Sequence, residues 1–348
     1  MGVNGRSRIL GKAIYGKLLV QQSLFITKQS LIMHVAIIGG TGHIGSYLTP
    51  MLVESGYQVT CVSRGVKKPY REHAAWKSIA YANIDREAEE KVGTFAKNIV
   101  QIGADAVIDL TCYQPSSAEH LVKGLRGRVE HLIHCGTIWI HGHSTVVPTT
   151  EDMPRESFGE YGIRKSRIET YLIKQAKETG FPVTLLHPGH LVGTGWAPIN
   201  PCGNFNAKVF SALKNGEEIR IPNFGMETVH HVHCEDVAQA FLLALKQRDA
   251  ALGQSFHVVS ESALTLRGFA EQMGEWFGKR ARIKFLPWEE WKQGLSEKEI
   301  ATTEDHIRHS PNCSIEKACS LLGYNPRYTS LQAVQESVTW LMQNGIVV

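Results

Sequence analysis

The stretch that most constrains the fold is His34–Gly45, which reads His-Val-Ala-Ile-Ile-Gly-Gly-Thr-Gly-His-Ile-Gly. Val35–Ile38 has the length and β-branched content of a buried strand. Glycines follow at 39, 42 and 45, and an amphipathic run begins at once. Strand, glycine turn and helix in that order are the context a dinucleotide-binding fingerprint needs. Gly39 would permit the tight turn, and Gly42 would let the backbone approach a pyrophosphate. Gly45 would let the helix pack close on the strand. The helix start, with His43 and Ile44, would turn free N–H groups toward the phosphates. Alone, the motif also fits an ordinary glycine-rich βα turn.

The pattern downstream favours the first reading. A helix is expected over Ile44–Ser55 with Gly56 at its C-terminal cap, then a strand over Tyr57–Val62. Further strands are expected over Ile79–Ile84, Ala106–Leu110, Val129–Cys135 and Phe181–His187. Helices over Arg86–Ile102, Glu119–Leu125 and Tyr161–Lys177 alternate with them. Such alternation predicts a Rossmann-type doubly wound parallel α/β sheet. A strand over Val229–Cys234, a helix over Val237–Lys246 and a strand over Ser255–Val259 return to the same pattern. The remainder reads as a smaller, mostly helical region. We therefore expect a dinucleotide-binding domain from residues 33–188 plus 226–260, and a substrate-binding sub-domain from 189–225 plus 261–348.

At 348 residues the chain is long enough for two sub-domains, and its net charge of +4 gives no special reason to expect nucleic acid or an anionic membrane. Cysteines at 61, 112, 135, 202, 234, 313 and 319 include no Cys-x-x-Cys pair, which argues for reduced thiols rather than a disulfide framework. The first 32 residues carry Arg6, Arg8, Lys12, Lys17 and Lys28 with no acidic residue. That composition resembles an organelle-targeting presequence. The favoured reading is an extension ahead of a natural start at Met33, poorly ordered, on a cytoplasmic protein.

Cofactor choice is made about twenty residues past the glycines, at the end of the second strand. An acidic residue there would bind the ribose 2′-hydroxyl of NAD. Ser63 and Arg64 stand there instead, with Lys67 and Lys68 behind. A hydroxyl and a guanidinium suit a 2′-phosphate, so NADP is favoured over NAD; the alternative is a solvated loop with incidental basic residues. Asp85, at the end of the third strand, is placed to accept from an adenine amino group. Tyr161 and Lys165 are four apart at a helix start and share one face. A phenol beside an ammonium has its pKa lowered toward the range useful in general acid–base work. Thr137, ending the fifth strand, offers a hydroxyl to the same substrate oxygen, or else satisfies local backbone.

Taken together these segments resemble the extended short-chain dehydrogenase/reductase family, in its NAD(P)-dependent epimerase/dehydratase group, which includes sugar-nucleotide 4-epimerases. The resemblance covers residues 33 to about 345. It rests on Gly39-x-x-Gly42-x-x-Gly45, Asp85, the Thr137 segment, Tyr161-x-x-x-Lys165 and His187-Pro188-Gly189. It also rests on Asp236-Val-Ala, Ser314-Ile-Glu-Lys-Ala318 and Leu322-Gly-Tyr-Asn-Pro326. It implies a Thr137–Tyr161–Lys165 active site, with Tyr161 as acid/base and Lys165 binding the nicotinamide ribose and tuning the phenol. Thr137 would orient the substrate. Pro188 would border the cofactor, and His190 and Asn204 would contact substrate. The implied chemistry is reversible hydride transfer at a carbinol carbon of a sugar-like small molecule. It amounts to epimerisation if the reduced cofactor is retained and to dehydrogenation or reduction if it leaves. Assembly as a homodimer is left open. A cofactor sensor or RNA-binding relative is the alternative, and the intact Thr137, Tyr161 and Lys165 argue against it.

The departures narrow the substrate. In 4,6-dehydratases of the group an Asp-Glu pair follows the active-site threonine, whereas here Ile138 and Trp139 follow, and neither transfers protons. The two arginines that would clamp a nucleotide diphosphate are replaced by Val229 and Glu304, although Arg308 lies nearby. Bidentate guanidinium contacts are hard to replace, so a smaller polar substrate is expected. His230, His231 and His233 cluster, but a zinc site would need further ligands that the sequence does not specify, so no metal is expected.

Overall fold

The apolar, β-branched segments form the strands expected of them. The computed structural model describes residues 32–348, and the expectations for the N-terminal extension lie outside the described residues. Strands β1 (His34–Ile38), β2 (Gln58–Ser63), β3 (Ala80–Asn83), β4 (Ala106–Asp109), β5 (His131–Cys135) and β6 (Val183–Pro188) come first. Then follow β7 (His190–Val192), β8 (Glu218–Pro222), β9 (Thr228–Val229), β10 (His231–His233) and β11 (Ser255–Val258). Seven of them make one sheet in the order β11-β6-β5-β4-β1-β2-β3. Every neighbouring pair in it is parallel, with Ile37 of β1 opposite Cys61 of β2 on one side and Ile108 of β4 on the other. Strand order reverses between β1 and β4, and the crevice beyond the carboxyl ends there is where such sheets take ligands.

Helices cover both faces because the central strands are buried on both sides. One core gathers Ile38, Val62, Phe95, Ile99 and Leu121 with Ile168 and Leu172 of the helix Gly159–Thr179. A second core, around Phe210, Ile221, Phe269, Trp291 and Val338, lies in the region predicted to bind substrate. That region is not only helical. It includes β8 paired in parallel with β13 (Arg282–Leu286), and β12 (Leu264–Thr265), which pairs with β9 of the segment 226–260.

Two local expectations are corrected, and one helix falls where none was expected. The helix expected over Arg86–Ile102 is two, Arg86–Lys91 and Phe95–Gln101, because Gly93 turns at φ +75°. The strand expected over Val229–Cys234 is interrupted at His230, whose ring bonds the Cys313 amide and the Ser260 carbonyl. A helix over Glu297–His309 carries no clear apolar stripe. It starts on a capping box between Ser296 and Glu299.

Candidate active site

The glycine turn is built as its spacing demands. Gly39 has φ +87°, and a Cβ there would meet the Thr111 methyl at 2.5 Å, so β1 and β4 approach closely at the switch point. A Cβ at Gly45 would lie 2.2 Å from the Gly40 carbonyl oxygen, so only glycine lets this helix sit against the end of β1. Beside the turn opens a cleft of about 580 Å³ lined by Gly39, Gly42, Ser63, Arg64, Lys67 and Asp85, among others. Its glycine cradle and volume, with Arg64 and Lys67 at the end of β2, fit a dinucleotide. Asp85 also caps the helix Arg86–Lys91 through the Ala88 amide. His43 and Ile44 sit at the helix start. Ile44 is buried, and the His43 ring stacks on Tyr70 at 3.9 Å with Trp196 edge-on at 3.4 Å. Burial, reinforced by the positive charge of Lys67, pushes the His43 imidazole down to about 3, so it is neutral.

Thr137, Tyr161 and Lys165 converge at the carboxyl ends of β4 and β5. Lys165 is buried and donates to the carbonyls of Cys112 and Cys135 at 2.8 Å each. These are the chain segments that leave the two strands. Its ammonium lies 4.9 Å from the Tyr113 ring centroid and 6.0 Å from that of Tyr161. The expected lowering of the Tyr161 phenol by Lys165 is therefore not what the structure shows. Burial around the hydroxyl pushes the phenol up, the Cys135 thiol and Tyr113 phenol add to this, and a hydrogen bond with the Thr137 side chain opposes it. Thr137 also serves local backbone, its hydroxyl accepting from the Trp139 amide at 3.3 Å.

Beyond Tyr161 the wall is made of rings. Trp139 meets Tyr161 edge-on at 6.1 Å and His306 at 5.1 Å, and it stacks on His309 at 4.0 Å. His190 lies 5.7 Å from the His306 ring and 5.3 Å from Phe205, and its Nε2 is buried without a partner. Burial pushes His190 well down and His309 to about 4, so both rings are neutral. Asn204 is buried, its side chain bonded to Asn200, Thr303 and the Asn206 amide. Pro188 ends β6 within the core. Asp109, Cys112 and His134 come close enough to share an ion, but the Asp109 carboxylate holds Arg86 at 2.7 and 2.9 Å.

This architecture has known counterparts, and the family profile described as "NAD dependent epimerase/dehydratase family" matches residues 35–258. The chain belongs to that family. It is 25% identical to the chloroplast stem-loop binding protein of 41 kDa b of Arabidopsis thaliana, over 87% of this chain and 78% of that protein. It is 23% identical to a UDP-glucose 4-epimerase of Corynebacterium glutamicum, over 90% and 97% respectively. A UDP-glucose 4-epimerase structure from Thermotoga maritima superposes with a TM-score of 0.67 at 21% identity, covering 90% of this chain and 99% of that one. Among the described residues no helix is long and apolar enough to cross a membrane.

Several residues of the site escape sequence reasoning. Arg86 follows Asp85, lines the cleft and keeps a buried Nη2 without a partner while Asp109 and Glu90 hold the rest of the guanidinium. Only the pairing of β1 with β4, which brings distant segments together, could reveal it. Glu169 is different. It lies four residues past Lys165, so the spacing that singles out Tyr161 and Lys165 extends to it.

Proposed function

We propose that this member of the epimerase/dehydratase family carries out reversible hydride transfer with NADP at a carbinol carbon of an uncharged, sugar-like substrate. The observation that carries the reading is a shared wall. Tyr113 lines the dinucleotide cleft and lies under the Lys165 ammonium, and the Tyr161 phenol is among its neighbours. When bound, a nicotinamide supplies the hydride acceptor. Gly39, Gly42 and the start of the helix His43–Glu54 would hold the pyrophosphate, with Asp85 and Arg86 toward the adenine side. Ser63, Arg64 and Lys67 would hold a 2′-phosphate, since the end of β2 presents no carboxylate.

The residues of the chain then divide the work. Tyr161 hands its proton to the alkoxide that forms on reduction and, as the phenolate, takes the hydroxyl proton back on oxidation. Thr137 hydrogen-bonds the same oxygen and Lys165 fixes the floor beneath it. With the reduced cofactor retained these residues would epimerise the carbinol carbon, and with it exchanging they would act as a reductase or dehydrogenase. Relatives named for UDP-sugars share the fold, but the positions where the resemblance implies diphosphate-clamping arginines hold Val229 and Glu304 here. Val229 is buried in a strand pair, Glu304 reaches Arg308 at 3.7 Å, and the Arg308 guanidinium lies over Phe158. An unpartnered His190 Nε2 suits a sugar hydroxyl instead.

The test is to denature the purified full chain, identify any released nucleotide by mass, and titrate NADP⁺ and NAD⁺ by tryptophan fluorescence. Absorbance at 340 nm is then followed over uncharged sugars, simple alcohols and UDP-glucose. NADP⁺ should bind roughly tenfold tighter than NAD⁺, as one charge-assisted contact implies. Arg64→Glu should abolish that preference. Turnover confined to UDP-glucose, or tighter binding of NAD⁺, overturns the substrate or the cofactor half of the proposal respectively.

A further inference from the structure

Tyr161, Lys165 and Glu169 follow one another at four-residue spacing along one face of the helix Gly159–Thr179. The first two belong to the proposed chemistry, and the third has no part in it. The Glu169 carboxylate is buried and accepts from Arg155 Nε and Nη2 at 2.9 Å each. It also faces His187 Nε2 at 3.2 Å. On the other side of the same ring, His187 Nδ1 accepts the Thr137 amide at 3.1 Å. A backbone N–H can only donate, so Nδ1 must present its lone pair. The ring proton therefore sits on Nε2 and is given to Glu169. Both neighbours demand one tautomer.

The place where this arm grips the chain is significant. The β5–β6 ladder ends with the Gly136 amide donating to the Leu186 carbonyl at 2.7 Å. Thr137 is the first residue beyond that bond, and an imidazole takes over where the sheet stops. Gly136 leaves room for it: a Cβ there would lie 2.1 Å from His187 Nδ1. Arg155, from the long loop before the helix, steadies the carboxylate at the far end.

We propose that His187, oriented by Glu169 and Arg155, is a positioning residue that fixes where the Thr137 hydroxyl stands relative to Tyr161. This rests on the role proposed above for Thr137. The arm couples the helix that carries Tyr161 and Lys165 to the residue that ends β5, so all three functional side chains share one rigid frame.

Three substitutions separate this role from mere filling of space. Asparagine at His187 puts an amide oxygen where Nδ1 was and keeps the Thr137 bond. Glutamine reaches toward Glu169 but leaves the Thr137 amide unpaired, and phenylalanine supplies neither bond. In the full chain, hydrogen exchange at Thr137 should stay slow in wild type and His187→Asn. It should quicken by roughly tenfold or more in His187→Gln and His187→Phe. On an alcohol that wild type oxidises with NADP⁺, kcat should fall by roughly 30- to 100-fold in the Gln and Phe variants, with the KM for NADP⁺ unchanged and His187→Asn largely rescued. Histidine-selective ¹⁵N NMR of wild type needs no variant to fold, and it should show His187 protonated at Nε2 and bare at Nδ1. A doubly protonated ring, an Nδ1–H tautomer, or an Asn variant no better than Gln overturns the positioning role. Full activity in Tyr161→Phe, with the exchange and NMR results as expected, instead overturns the chemistry that role serves.

Discussion

Gly45→Ala tests whether the close approach of helix and strand creates the cofactor site. A Cβ at 45 would stand 2.2 Å from the Gly40 carbonyl oxygen, 2.5 Å from its carbon and 2.7 Å from its Cα. All three are backbone atoms, so no rotamer relieves the contact. Ordinary C···O contact is about 3.3 Å, so the helix His43–Glu54 must withdraw by roughly 1 Å. Its buried face, Ile44, Tyr47, Leu48 and Leu52, packs on the sheet and against the helix Cys234–Lys246, and would lose that fit. Overpacking of this kind costs about 1–3 kcal/mol, which for a chain of this size lowers Tm by about 1–4 °C. The same shift carries the first-turn N–H groups away from the phosphate position, and losing two such bonds weakens NADP⁺ by about 30-fold. Gly56→Ala is the control. Gly56 has φ +85° with nothing within 4 Å of its would-be Cβ, so alanine there brings only about 1 kcal/mol of backbone strain. Differential scanning fluorimetry and tryptophan quenching read both quantities. A Gly45→Ala protein no less stable than Gly56→Ala, with NADP⁺ affinity intact, refutes the reasoning.

Acid should destabilise the fold before any carboxylate titrates. Burial holds His131, His141 and His230 down to about 4 and His231 to about 3, from an ordinary 6.5. The unfolded chain takes up these protons below pH 6.5 and the folded one does not. The stability they represent is therefore complete above pH 6.5 and is lost as pH falls toward 4, by up to about 1.4 kcal/mol per pH unit for each ring. Tm should drop steeply between pH 7 and pH 5, and a flat profile contradicts the neutral-imidazole account. Arg155→Met strands a buried carboxylate and should cost about 2–4 kcal/mol in urea unfolding, with the double variant Arg155→Met/Glu169→Gln recovering part of it; strict additivity would deny the coupling. Lys165→Met leaves the Cys112 and Cys135 carbonyls without their donor and should cost about 2–4 kcal/mol while weakening NADP⁺. An unchanged Tm would show that solvent replaces the ammonium.

Local chemistry made the dinucleotide half of the molecule legible. Strand, Gly39, Gly42, Gly45 and helix are adjacent in sequence, so their spacing alone determines the turn. The alternation behind them fixes a parallel sheet. That Tyr161 and Lys165 share one helix face was legible for the same reason, since they stand one helix turn apart. The electrostatics at Tyr161 were not, because an ammonium four residues away in sequence spends its hydrogen bonds on carbonyls of other strands. The break at Gly93 was missed because an otherwise helical pattern hid a left-handed glycine. His187 looked like a strand residue, and only the pairing of β5 with β6 places its ring under Thr137. The aromatic wall is equally non-local, since Trp139, His190 and His306 come from three separate segments.

The central claim, that Tyr161 moves the hydroxyl proton while the neighbouring cleft holds NADP, is tested most directly by one comparison. The rate of absorbance change at 340 nm is measured in wild type and in Tyr161→Phe, at saturating NADP⁺ with the best alcohol substrate. The account predicts that the variant binds NADP⁺ as wild type does and loses roughly 10²- to 10⁴-fold in rate, the contribution expected of a positioned acid/base. Equal rates in the two proteins would contradict it.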